Sequence, residues 1–233
     1  MNTAKTGESF TKMVFPSLRS GRYVRPSLTL IAAGGNFGAP SANTLESFSI
    51  ICVTGQMAAG KNYICSQLEK KGWLSTDLDL TAHRAIELCR EEILSAFKDQ
   101  AEACGLAIEN PDSSINRRNL GRLLFKNQAL LARQESIIYP KIIELTKEFI
   151  AQNKGKKIII NATVLYKTPE LLKLCQAIVF VKAPFVTRLL RASRRDHLPL
   201  LQILRRFFAQ KDLLARYKEV KSPESPLIIL RNA

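Results

Sequence analysis

Phe48-Ser49-Ile50-Ile51-Cys52-Val53-Thr54-Gly55-Gln56-Met57-Ala58-Ala59-Gly60-Lys61-Asn62 is the stretch on which the fold turns. Phe48 to Val53 is an apolar run with little alternation, the pattern of a strand buried on both faces of a parallel sheet. Gly55 to Lys61 satisfies G-x-x-x-x-G-K. In such a loop the end glycines let the backbone wrap around phosphate oxygens, while successive N–H groups and a helix N-terminus point inward. Lys61 supplies a mobile positive charge for the β- and γ-phosphates. Asn62 stands where Ser or Thr normally sets a hydroxyl on Mg2+, so a metal there would be held weakly or through water.

Outward from this loop, Gly60 to Lys71 reads as a helix closed by Gly72. Further strands are expected at Trp73–Thr76, Lys157–Asn161, Ala177–Val181 and Leu227–Leu230, joined by right-handed helical crossovers. Between the second and third strands, Thr81 to Gln152 reads as helical, broken at Gly105 and at the Asn110-Pro111-Asp112 turn cluster. Ile137, Ile138, Ile142, Leu145 and Phe149 recur at helical spacing and are read as a core-facing stripe rather than a cofactor contact. The fold class is therefore α/β, a parallel sheet flanked by helices.

Two other groups of residues carry chemistry. Asp77-Leu78-Asp79-Leu80-Thr81-Ala82-His83 directly follows the second strand, where the carboxyl ends of parallel strands line a ligand crevice. Asp79 is placed to accept a proton from an attacking hydroxyl; the alternative is that Asp77 or Asp79 caps the next helix. Arg188, Arg191 and Arg195 then fall at i, i+3 and i+7 on one helical face, followed by Arg205 and Arg206 after the Leu198-Pro199 break. Guanidinium groups there would neutralise a transferring phosphoryl group, with surface solvation as the alternative for each.

Composition bounds the rest. At 233 residues, with 46% hydrophobic and 24% charged residues, the chain has the make-up of one globular domain with an extension, or of two small ones. No apolar run approaches the roughly 20 residues of a spanning helix, so a membrane partner is not expected. The net charge is +15, and eleven Lys/Arg lie between Lys182 and Lys221 against three acids. That field attracts polyanions or simply solvates the surface. A non-catalytic nucleotide- or nucleic-acid-binding module stays open as an alternative, although few aromatics interleave with the basic run and base stacking is poorly supported. The five scattered cysteines form no C-x-x-C pair, and His83 and His197 lie far from any ligand cluster. Structural zinc is not expected on that ground, and reduced thiols in a cytoplasmic setting are expected. Residues 1–47, rich in Ser, Thr, Gly and Asn, read as a disordered tail or an over-extended start, with an organellar transit peptide the less favoured alternative.

Together the three motif blocks resemble the dephospho-coenzyme A kinase family. That family shows G-G-x-G-S-G-K-S, then D-A-D-x-x-A-H/R, then R-x-x-x-R-D leading to A-A-Q. Here these stand as Gly55 to Asn62, as Asp77 to His83, and as Arg191-Ala192-Ser193-Arg194-Arg195-Asp196 ending in Phe208-Ala209-Gln210. Weaker matches are Arg117-Arg118-Asn119-Leu120 with Leu124-Phe125, and Ile138-Tyr139-Pro140 where the family has His-Pro. The resemblance spans about Ile50 to Asn232.

It implies a P-loop kinase of residues 48–233, with a helical substrate region at about 81–152 and a basic lid at about 184–212. It also implies transfer of the γ-phosphate of ATP, with Mg2+, to the ribose 3′-hydroxyl of dephospho-coenzyme A. Under it Lys61, Asp79 and Arg191 are catalytic, with Asp79 the base. Gly55, Gln56, Met57, Ala58, Ala59, Gly60, Lys61, Asn62 and Arg195 hold the nucleotide; His83, Leu165 and Tyr166 contact the acceptor. On the motifs alone a nucleoside or nucleotide kinase is the rival enzyme. The family's D-x-P-L-L-F-E appears as Asn161-Ala162-Thr163-Val164-Leu165-Tyr166-Lys167, a second amide near the nucleotide. The stop at Ala233, where the family continues into a helix, leads to the expectation that one flank of the sheet is exposed or covered by a partner.

Overall fold

The computed structural model describes residues 28–32, 42–125, 127–196 and 198–232. The strands are β1 (Leu28–Ala32), β2 (Ile50–Gly55), β3 (Leu74–Asp77), β4 (Ile158–Asn161), β5 (Ala177–Lys182) and β6 (Leu227–Asn232). They form one sheet in the order β1-β6-β5-β2-β4-β3. The five strands from β2 to β6 are parallel, as the unalternating apolar runs of β2, β4 and β5 predict, and β1 is added antiparallel on the β6 edge. Central β2 lies between β4 and β5, so the loop leaving it sits where the strand order reverses, the usual place for a ligand in such sheets.

Helix α1 (Lys61–Glu69) follows β2. Its exit is a Schellman turn, with Trp73 N–H bonded to Leu68 O, Gly72 N–H bonded to Glu69 O, and Gly72 at φ 87°. Helices α2 (Leu78–Leu88), α3 (Arg90–Ala103), α4 (Arg117–Leu124) and α5 (Gln128–Gln152) fill the interval between β3 and β4. The expected break holds: Gly105 takes φ 67° and the turn at Asn110 is closed by Ser114. Short α6 (Pro169–Leu174) leads to β5; α7 (Phe185–Asp196), α8 (Leu200–Ala209) and α9 (Leu213–Val220) lie between β5 and β6.

The two faces of the sheet feed separate cores. Ile51, Val53, Ile159 and Val179 pack under Ile64, Cys65 and Leu68 of α1. Cys52, Ile160, Ile178 and Phe180 face Ile93, Phe97, Ile138, Ile142 and Tyr217 from the helices of the other side. Of the stripe read on α5, Ile138 and Ile142 are buried in this core and Ile137 and Leu145 pack against it, while Phe149 does not join it.

Two sequence readings are corrected. Residues 28–32 are a strand and Ala42–Ser47 a 3-10 turn, so residues 1–47 are not uniformly without structure; the remainder of that reading lies outside the described residues. The parallel edge strand β6 presents a row of backbone groups that β1 pairs, a demand set by β6 rather than by anything local to residues 28–32. The exposed flank also does not occur, because Val181, Ile228 and Leu230 are buried in one cluster with Leu45, and Phe48 packs against it. Among the described residues no helix is long and apolar enough to cross a membrane.

Candidate nucleotide and acceptor site

The loop after β2 is shaped by its end glycines. A Cβ on Gly55, at φ 151°, would come within 2.3 Å of the Val181 carbonyl oxygen on neighbouring β5. A Cβ on Gly60, at φ 97°, would lie 2.0 Å from the Asn232 side chain. Ala58 also adopts a left-handed backbone, φ 59°, at a place where the resembling motif has glycine. At the start of α1 the N–H groups of Gly60, Lys61 and Asn62 have no protein acceptor among the described residues, which leaves an anion-seeking cup.

The outside of this loop is braced from three directions. From β6, Asn232 donates to the Ala59 carbonyl at 2.9 Å. From α7, Arg188 donates through Nε to the Met57 carbonyl at 3.0 Å and through Nη1 to Gln56 Oε1 at 2.7 Å, while its guanidinium lies 4.3 Å over the Phe207 ring. After α8, Gln210 Oε1 accepts from Met57 N–H at 2.7 Å and the Gln210 carbonyl accepts from Gln56 Nε2 at 3.1 Å. Gln56 and Met57 therefore face the α7–α8 segment. Arg188, buried and with two of its donors spent on the loop, is a brace rather than a free phosphate clamp.

Lys61 donates to the Gly55 carbonyl at 3.2 Å. Burial pushes its ammonium below the usual lysine range; Asp79 opposes that shift, Arg195 adds to it and Asp77 opposes it. These couplings put both aspartates and Arg195 within electrostatic reach of Lys61. Of the two aspartates, one is the cap. Asp77 is the N-cap of α2, its Oδ1 accepting from Asp79 N–H at 2.9 Å, which leaves the exposed Asp79 carboxylate free of capping.

Sheet register sets Asn161 beside both Val53 and Asp77. Its Nδ2 accordingly donates to Asn62 Oδ1 at 3.0 Å and to Asp77 Oδ2 at 3.1 Å. A carboxylate at 161 would oppose Asp77; the amide bridges it instead. The donor set around this bridge is all oxygen, with Asn161 Oδ1 buried and without a partner. That suits Mg2+, which is usually held by one or two carboxylates together with waters and substrate phosphates. Among the described residues no cluster of three His, Cys, Asp or Glu forms a protein-only metal cage.

Asp79 also lines a 190 Å3 cavity with Ala82, Tyr139, Thr163 and Leu165. Burial pushes the Tyr139 phenol above its usual range. Leu165 lies in the wall of the same cavity as Asp79. Tyr166 is not among the cavity's lining; its hydroxyl accepts from Arg216 at 2.8 Å and its ring packs edge-on against Tyr217. His83 is exposed one turn after Asp79 on α2. Arg191 has a buried Nη1 without a partner, 3.7 Å from a Cβ placed on Gly60. Arg195 is exposed and forked onto neighbouring Asp196 at 2.6 and 3.1 Å.

Sequence reading gave Asn232 no role, assigned Tyr139 only a weak match, and took Gln210 only as the end of a motif. Tyr217 was also missed. Its buried hydroxyl donates to the Thr163 carbonyl and accepts from Leu165 N–H, fixing the cavity wall.

A family profile described as dephospho-CoA kinase matches residues 49–222. A dephospho-CoA kinase of Treponema pallidum is 34% identical over 174 residues, 73% of this chain and 82% of that one. One from Treponema denticola is 32% identical over 187 residues, 77% and 83% of the two chains. In fold the chain is similar to a solved protein of Thermus thermophilus, with TM-score 0.64 and 24% identity over 79% of this chain and 88% of that one. It is also similar to a dephospho-CoA kinase of Campylobacter jejuni, with TM-score 0.52 and 21% identity over 79% and 88%. With a phosphate cup, an uncapped aspartate and this extent of match, the chain belongs to the dephospho-CoA kinase family.

Proposed function

We propose that this chain transfers the γ-phosphoryl group of ATP to the 3′-hydroxyl of dephospho-CoA, giving CoA and ADP. The observation that carries the reading is that Asp79, released from capping by Asp77, lines the cavity beside Tyr139 and Leu165 while coupling to Lys61 of the cup. An acceptor hydroxyl in that cavity meets a carboxylate able to take its proton as the oxygen attacks phosphorus.

The cup N–H groups and Lys61 bind and orient the triphosphate. Arg191, with an unpaired donor beside Gly60, supplies positive charge to the oxygens of the group in flight. Arg195 reaches the nucleotide by exchanging its fork on Asp196 for phosphate, and α7–α8 then act as a lid. Mg2+, held by Asp77 and Asn62 together with phosphate oxygens, supplies charge neutralisation when bound.

The test is ADP release by purified protein with ATP, Mg2+ and dephospho-CoA, run against a panel of nucleosides and nucleoside monophosphates. Turnover is expected with dephospho-CoA; turnover confined to the panel would favour the nucleoside-kinase rival. Asp79→Asn should slow transfer by about 100-fold or more with ATP binding near normal, and unchanged turnover would remove Asp79 from the base role.

A further inference from the structure

Asn232 ends β6 and is 2% exposed. The register between β5 and β6 stops at Arg231, and Leu28 of β1 carries the ladder one position further, to Asn232. From that fixed place its amide reaches the loop. The Ala59 carbonyl, 2.9 Å away, can only accept, so Nδ2 must face it and Oδ1 is left as an acceptor. Among the described residues that buried oxygen has no partner. Nor has Arg191 Nη1 on α7, which can only donate. Both side chains reach the place where Gly60, the N-cap of α1, lacks a Cβ. That point lies 2.0 Å from Asn232 Nδ2, 3.3 Å from Asn232 Cγ and 3.7 Å from Arg191 Nη1. Buried polar atoms seldom stay single, and here an unmatched acceptor and an unmatched donor stand beside the same glycine.

Resting on the kinase reading, we propose that Asn232 is a positioning residue for phosphoryl transfer and acts through Arg191. As phosphate draws the guanidinium toward Gly60, Asn232 Oδ1 accepts from one N–H of Nη1. A guanidinium carries further N–H groups, and these remain for oxygens of the transferring group. One amide then holds both parties: its nitrogen fixes the Ala59 carbonyl of the loop that carries the triphosphate, and its oxygen fixes the charge that the triphosphate meets. An arginine on a long, rotatable stem gains from such a stop, because a misplacement of about 1 Å at a reacting centre can cost about 100-fold in rate. A brace for the loop needs only the nitrogen; the buried oxygen is what the second role explains.

The test is a double-mutant cycle on the full chain, read as the single-turnover rate of transfer from ATP to dephospho-CoA. Arg191→Ala should slow transfer about 100-fold or more. Asn232→Leu, which keeps the buried volume but loses both arms, should slow it about tenfold or more. In the Arg191→Ala background Asn232→Leu should add almost nothing, since no guanidinium remains to be held. The KM for dephospho-CoA should not move. Asn232→Asp keeps an acceptor for Arg191 and loses the donor to Ala59, so it should restore most of the rate lost in the leucine variant while ATP binds more weakly. Asn232→Ser, too short to reach either partner, replaces leucine in the cycle if that variant does not fold. The same cycle on the dissociation constant of ATP tells a failed pairing from a failed kinase assignment. Equal fold-losses from Asn232→Leu in both backgrounds, in rate and in ATP binding, overturn the role of Asn232 and leave the kinase reading intact. Coupling in ATP binding with no transfer to dephospho-CoA upholds the pairing of Asn232 with Arg191 and overturns the kinase reading.

Discussion

Arg188→Met separates two roles for the first arginine of α7. The wild-type side chain, 6% exposed, donates to the Met57 carbonyl at 3.0 Å and Gln56 Oε1 at 2.7 Å and covers Phe207 at 4.3 Å. Methionine keeps the length and the ring contact but leaves both oxygens without a donor, at about 1–3 kcal/mol each. The lost cation–π contact adds about 1–2 kcal/mol. Against this stands relief from burying a guanidinium, the cause of the lowered Arg188 pKa. The balance is a loss of about 3 kcal/mol in unfolding free energy, read from urea titrations, with weaker ATP binding because Gln56 and Met57 are set free. Arg188→Lys should fall between, since a point donor replaces one bond of the fork but not both. If Arg188→Met unfolds within about 0.5 kcal/mol of the parent and binds ATP equally well while turnover collapses, the brace is wrong and the phosphate-clamp reading returns.

Asn161→Asp sets a carboxylate 3.1 Å from Asp77 Oδ2 in place of a donor, so the variant should lose about 1–3 kcal/mol in metal-free buffer and regain part of it with Mg2+; an unchanged metal-free Tm refutes the bridge. Ala58→Gly removes a left-handed alanine at φ 59° and should raise stability by up to about 1 kcal/mol after the entropy of glycine is subtracted; a lower Tm counts against strain there. Burial pushes the Cys65 and Cys175 thiols up to about 12, so the folded chain holds protons that the unfolded chain releases above about pH 8.5. Stability should be full below that pH and fall above it by about 1.4 kcal/mol per unit for each thiol, and a flat denaturation midpoint between pH 8 and 10 would contradict this.

What the sequence discloses is governed by how far apart the partners are. The strand Ala177–Val181 and the loop Gly55–Lys61 are legible because their apolar runs and glycine spacing are local properties. The pair Asp77 and Asp79 is half legible: either can cap α2, and only the extended backbone at Asp77, φ −97° and ψ 112°, decides it. Arginines at 188, 191 and 195 are correctly placed on one helix, but spacing along a helix does not say what a given side chain meets. Arg188 meets the back of the loop, Arg191 its end and Arg195 its own neighbour Asp196. Gln210 and Asn232 reach the loop from 153 and 173 positions away, and nothing near them in sequence announces the contact. The strand at residues 28–32 is not legible for a related reason, since its pairing is dictated by the edge of β6.

Among the described residues, the buried side-chain atoms left without a hydrogen-bond partner are Asn161 Oδ1, Arg188 Nη2, Arg191 Nη1 and Asn232 Oδ1. Protein interiors seldom tolerate such atoms, and scattered examples would mean little. Here each belongs to a residue that touches a different part of one loop: Asn161 at Asn62, Arg188 at Gln56 and Met57, Arg191 beside Gly60, Asn232 at Ala59. The desolvation cost is therefore concentrated around the cup, where a ligand relieves it. Asn161 and Arg191 meet the start of α1, where one offers an amide acceptor and the other a cationic donor, so an anion carrying its own water or hydroxyl groups answers both where a bare phosphate answers only Arg191. Arg188 and Asn232 hold the outside of the same loop, and their unpaired atoms add to the cost of keeping it in shape.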